Sequence, residues 1–95
     1  MKSLKYLSPQ MRQILRALEE NVRNGEIIME SEALYKAIGK DMKSGSVRGI
    51  VCRTLRTLQQ RGLILCIGRA YMLLMTLEGH EVSYTATFTS PGGEE

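Results

Sequence analysis

The residues best suited to chemistry in this chain are Ser46, Arg48, Gly49, Arg53 and Arg56, gathered in one short central stretch. Arginine carries a planar fork of donors that matches paired acceptors, whether on a guanine edge or on a phosphate. If the stretch is helical, successive side chains turn by about 100°, and Val47, Ile50, Val51, Thr54, Leu55 and Leu58 then fall on one face. Gly49, Cys52, Arg53, Arg56 and Gln60 fall opposite, with Arg48 and Gln59 on a flank. That outward face contains no carboxylate, whereas an ordinary solvated helix face mixes both signs. The chemistry it suits is the binding of a polyanion.

Other chemistries find little footing. His80 is the single histidine and has no cysteine at ligand spacing, so it reads as a surface residue and not as a ligand or base. Catalysis needs a nucleophile with a base, paired carboxylates in a cleft or a metal cluster, and no phosphate-cradling glycine loop is present. The run Gly45-Ser46-Val47-Arg48-Gly49 lacks the preceding strand of a nucleophile elbow. We therefore expect neither an enzyme nor a cofactor or metal. Cys52 and Cys66 are too far apart for a Cys-x-x-Cys pair and read as small apolar residues, with a disulfide within or between chains left open. Four tyrosines and one phenylalanine, unclustered, give no platform for stacking single-stranded bases.

The elements that position these residues are signalled by their ends. A helix over 44–61 is capped by Ser44 or Ser46 and stopped by Gly62. After it, 63–67 and 70–77 are β-rich and separated by Gly68-Arg69, a two-residue turn whose leading glycine suits type II′. Upstream, Ser8-Pro9 starts a first helix with the stripe Met11, Ile14, Leu15, Leu18 and Val22, and Asn24-Gly25 stops it. Residues 26–29 form a short strand able to join a small sheet. Ser31 is expected to cap a second helix over 32–38, with Leu34, Ala37 and Ile38 inward and Gly39 at its end. Lys40 and Lys43 occupy the turn into the central helix. Residues 83–90 alternate Tyr84, Ala86 and Phe88 with Thr85, Thr87 and Thr89, the pattern of an additional strand, and 91–95 is expected to be a mobile tail.

The 95 residues, 43% of them hydrophobic, suit one domain over 1–95 with its core in about 8–79. Between positions 33 and 77 stand eight basic residues against Asp41 alone, net +7. The rest carries five basic and nine acidic residues, net −4, and together they make the overall +3. No apolar run approaches the roughly 20 residues of a membrane span, and the N-terminus lacks the order of a signal peptide. A cytoplasmic protein is expected.

The order helix, short strand, helix, turn, basic helix ending Gln60-Arg61-Gly62-Leu63-Ile64, and hairpin resembles the winged helix-turn-helix regulators. In MarR-like, PadR-like and GntR-like families the third helix closes with a similar string, matched here by Leu58 and Arg61-Gly62-Leu63-Ile64. Thr76 and Gly79 resemble the threonine and glycine that follow their second wing strand. The resemblance covers roughly 9–79 and implies an α+β winged helix-turn-helix: three helices and a small antiparallel sheet with a β-hairpin wing. It further implies a recognition helix at 44–61 in the major groove with the wing, 63–76, beside it. Two departures are Gly45 and Gly49 in the recognition helix and the lack of a long C-terminal dimerising helix. Gly49 serves either a close backbone approach to DNA or a tight helix crossing.

The expected function is a sequence-specific regulator of transcription that binds double-stranded DNA as a homodimer. Ser46, Arg48, Gly49 and Arg53 are the expected base contacts, and Lys40, Lys43, Ser44, Arg56 and Arg69 the phosphate contacts. The alternative is a winged-helix protein-interaction module whose basic face binds an acidic partner.

Overall fold

The computed structural model describes residues 6–82. Its elements are α1 (Pro9–Arg23), β1 (Ile28–Glu30), α2 (Ser31–Ala37), α3 (Gly45–Gln60), β2 (Ile64–Ile67) and β3 (Ala70–Leu73). The fold is α+β, with three helices and one three-stranded antiparallel sheet in the order β1-β3-β2. The strand expected at 83–90 and the tail at 91–95 lie outside the described residues. Among the described residues no helix is long and apolar enough to cross a membrane.

Each helix begins and ends for local reasons. Ser8 caps α1 by accepting from the Met11 N–H at 3.1 Å, and Pro9 occupies the first turn, where its missing N–H costs nothing. At the end of α3, Gly62 (φ 77°) is left-handed, its N–H donates to Gln59 O at 3.0 Å, and the Leu63 N–H donates to Leu58 O at 3.0 Å. These paired bonds close the helix and turn the chain directly into β2. The same pair of bonds closes α1 after Gly25 and α2 after Gly39.

The core is wholly apolar. Ile14, Leu15 and Leu18 of α1, Leu34, Tyr35 and Ile38 around α2, Val51, Leu55 and Leu58 of α3, and Leu63, Ile64 and Leu73 of the hairpin are buried together. Two side-chain bonds set the helices against one another. Gln13 Nε2 donates to Ile38 O at 3.1 Å, satisfying a carbonyl at the end of α2, and the Thr54 hydroxyl donates to Gln10 Oε1 at 2.8 Å, joining α3 to α1.

In the sheet, Leu65 and Ile28 both stand opposite Met72, and Ile67 and Glu30 both stand opposite Ala70. Gly68 (φ 61°) leads the two-residue turn and Arg69 has no positive φ, as type II′ requires. Both sheet edges are occupied by side-chain amides: the Cys66 N–H donates to Gln59 Oε1 at 2.9 Å, and Asn21 Nδ2 donates to Ile28 O at 3.0 Å. Such bonds blunt an edge that otherwise invites another strand. The face turned away from the helices exposes Ile28, Leu65 and Ile67.

Several sequence expectations need correction. Ser31 is the first residue of α2 and does not cap it; Glu30 holds the cap position without a side-chain bond. The reason is that β1 runs into α2 with no loop between them, so the Ser31 N–H donates to Arg69 O at 2.8 Å. Tyr35 is buried where Ala37 was expected, and Ala37 is exposed. Ile50, placed by periodicity on the inward face, is 48% exposed. The strand expected at 26–29 is shifted to Ile28–Glu30. The second hairpin strand ends at Leu73 and does not run to 77, since the Leu74 and Met75 N–H groups both donate to Leu63 O in a two-against-one bulge.

Candidate nucleic-acid interface

The turn between α2 and α3 is built by Asp41. Its Oδ1 accepts from the Lys43 N–H at 3.0 Å and its carbonyl from the Ser44 N–H at 3.2 Å. Asp41 is the single carboxylate of this region, and its oxygen is committed to holding the backbone. Lys40 and Lys43 are exposed on either side of it. Ser44 then caps α3, accepting from the Val47 N–H at 3.4 Å, with its Oγ 3.3 Å from Ser46 Oγ. The Ser44 side chain is thus part of the helix start, while Ser46 remains exposed.

Along α3, Val51, Leu55 and Leu58 anchor one arc in the core, and Ser46, Gly49, Arg53, Arg56 and Gln60 are exposed on the other. Arg48, Arg53, Arg56, Lys40 and Lys43 form no ion pair among the described residues, whereas Arg23 pairs with Glu19 and His80 stands beside Glu78. The Arg53 guanidinium folds back along the helix, with Nε donating to Gly49 O at 3.5 Å. A Cβ built at Gly49 meets nothing within 4 Å, so no neighbouring helix explains that glycine. Of the two explanations left by the sequence, the tight crossing is removed.

The expected base contacts do not form one group. Ser46, Gly49 and Arg53 share the outward arc, but Arg48 and Arg53, five residues apart, are separated by about 140° around the axis. Arg48 belongs to the flank beside α2, where its charge acts on Tyr35 and partly offsets the upward push of burial on that phenol. Arg69 differs again. Its carbonyl is tied to Ser31, so the hairpin tip lies against the start of α2 and does not project beyond the sheet. The exposed side chain shares a cleft with Glu30, Glu32 and Met42, and two carboxylates there weaken any attraction for phosphate. Sequence periodicity missed this neighbourhood because β1 is distant from the hairpin in the chain.

Among the described residues no group of three or more histidine, cysteine or acidic side chains is placed to hold a metal. Comparison with known proteins returns nothing: no family model, no curated protein and no solved structure matches the chain.

Proposed function

We propose that the chain is a winged helix-turn-helix protein that binds double-stranded DNA sequence-specifically and regulates transcription in the cytoplasm as a homodimer. The observation that carries this reading is the outward arc of α3, exposed and cationic with no carboxylate on it or paired to it. In this reading α3 enters the major groove and the β2–β3 hairpin serves as a short wing beside it. Arg53, Ser46 and the bare backbone at Gly49 face base edges, and Arg48 reads from the flank. Lys40, Lys43 and Arg56 meet phosphates, Arg69 contributes only weakly beside Glu30 and Glu32, and Ser44 fixes the helix start against the backbone.

The test is selection of duplexes from a random pool, followed by anisotropy titration of the selected and a scrambled duplex over a range of salt. Three phosphate-neutralising cations per protomer, Lys40, Lys43 and Arg56, give a slope of log K against log salt of about −2.7. Lys40→Ala should weaken both duplexes alike and lower that slope by about 1. Arg53→Ala should cost about 1 to 3 kcal/mol on the selected duplex only. Equal losses on both duplexes for Arg53→Ala remove base reading, and salt-insensitive or absent binding removes the DNA function. A second reading, a winged-helix module for protein interaction, is favoured by the apolar sheet face at Ile28, Leu65 and Ile67. It predicts that Leu65→Glu abolishes complex formation with a protein partner while DNA binding is nil.

A further inference from the structure

Four weakly acidic side chains from four different elements converge beside α3: Tyr35 of α2, Cys52 of α3, Cys66 of β2 and Tyr71 of β3. Cys52 and Cys66 line one cleft of about 240 Å³, with Cys52, Leu55, Arg56 and Gln59 contributed by the helix and Cys66, Gly68 and Tyr71 by the hairpin. Both cysteines are free, Cys52 exposed and Cys66 half-buried. The bond from the Cys66 N–H to Gln59 Oε1 holds β2 against the helix that carries Cys52. Burial pushes the Cys66 thiol up, and the charge of Cys52 pushes it further in the same direction. Burial likewise raises Tyr71 to about 12, with Cys66, Cys52 and Tyr35 adding to it, and it raises Tyr35, which is hydrogen-bonded to Cys52. Arg48 opposes this at Tyr35, and Arg56 lines the same cleft.

We propose that Cys52 and Cys66 form a redox-active thiol pair, oxidised by a peroxide to a disulfide that ties α3 to β2 within one chain. Exposure makes Cys52 the residue that meets the oxidant. Its sulfur attacks one peroxide oxygen, the O–O bond breaks, and water leaves a sulfenic acid on Cys52. The Cys66 sulfur then attacks the Cys52 sulfur, the S–O bond breaks, and a second water departs as the S–S bond forms. Both thiol hydrogens end in water, and a dithiol reductant restores them. Because the Cys66 thiol is held protonated, the closing step speeds up as pH rises towards its value. Neither step depends on what α3 binds.

The experiment uses the full chain, reduced and then treated with stoichiometric hydrogen peroxide. Before treatment, thiol titration gives both cysteines; afterwards both disappear together. The protein stays monomeric on a non-reducing gel, and dithiothreitol restores both thiols. Tryptic digestion yields residues 49–53 joined to residues 62–69, lighter than the sum of the two peptides by two hydrogen atoms. In Cys66→Ser the sulfenic acid on Cys52 persists and is trapped by dimedone; in Cys52→Ser the Cys66 thiol survives the same dose. The proposal is overturned if both thiols survive in the wild type, if they are lost without the joined peptide, or if joined peptide appears only in a cross-linked dimer.

Discussion

Replacing Gly49 with alanine separates what α3 needs to fold from what it needs to bind. Glycine inside a helix is less favourable than alanine by about 0.8 to 1.0 kcal/mol, through backbone entropy alone. At this position nothing subtracts from the gain: a Cβ meets no atom within 4 Å and the backbone is not left-handed. Gly49→Ala should therefore stabilise the protein by nearly the full increment, raising Tm by about 3 to 8 °C for a domain of this size. Binding should move the other way. If the backbone at Gly49 lies against a base edge, the methyl group holds the helix away from the groove floor, and a tenfold loss of affinity corresponds to about 1.4 kcal/mol. Thermal melting followed by circular dichroism reads the first effect, and anisotropy with the selected duplex reads the second. A more stable protein with unchanged affinity refutes the close approach, and a less stable one refutes the open surroundings of Gly49.

Two further outcomes test the core and the cleft. Leu58 is fully buried among α1, α3 and the hairpin, and Leu58→Ala should cost about 2 to 5 kcal/mol in urea unfolding; a loss below 1 kcal/mol means that this core is not packed as described. Tyr71 stays protonated in the folded chain to about 12, against 10.0 for the free side chain, so between those values only the unfolded chain releases the proton. Stability then falls as pH rises through that window and is unaffected below it; the fall is clearly less than the roughly 3 kcal/mol of an unscreened shift, because the phenol is partly exposed to solvent. Tyr71→Phe lacks this slope. The difference in stability between the two proteins should shift steadily from pH 10 to 12, and a pH-independent difference defeats the assignment.

What the sequence shows of this fold follows from how local each cause is. The limits of α1 and α3 rest on Ser8, Pro9, Ser44 and Gly62, whose effects act within a few residues, and the structure places those limits within one residue of expectation. The inward phase of α2 was harder to read because a seven-residue helix contains too few turns to define a stripe, and Tyr35 took the place given to Ala37. Ser31 carries the right side chain for a cap, yet the ladder bond to Arg69 fixes its backbone first, a consequence of strand pairing across many residues. The strands posed a different problem. Runs 63–67 and 70–75 are apolar at every position, so a period of two cannot tell which face meets the helices; the register does. For the site, exposure of Arg48, Arg53 and Arg56 was legible from periodicity. The carboxylates beside Arg69 and the convergence of Cys52 with Cys66 were not, because both arise from the hairpin folding back on distant elements.

The charge pattern of α3 is hard to explain by folding alone. Arg53 and Arg56, three residues apart, are neighbours of like charge, an arrangement that destabilises a helix by a few tenths of a kcal/mol. Lys40, Lys43 and Arg48 add to the same field at the other end of the helix, and no carboxylate among the described residues is paired to any of them. Gly49 weakens the helix at the same place by about 1 kcal/mol. Meanwhile the opposite arc is fully committed, with Val51 and Leu58 at 0% exposure. A helix whose buried side is well packed, but whose outward side breaks two local rules without an internal compensation, is stabilised most by something that supplies negative charge and approaches closely. Sites where local consistency fails in this way are where function is expected. On the DNA-binding reading proposed above, the phosphate backbone of a duplex would supply that charge and the bare backbone at Gly49 would lie next to the groove.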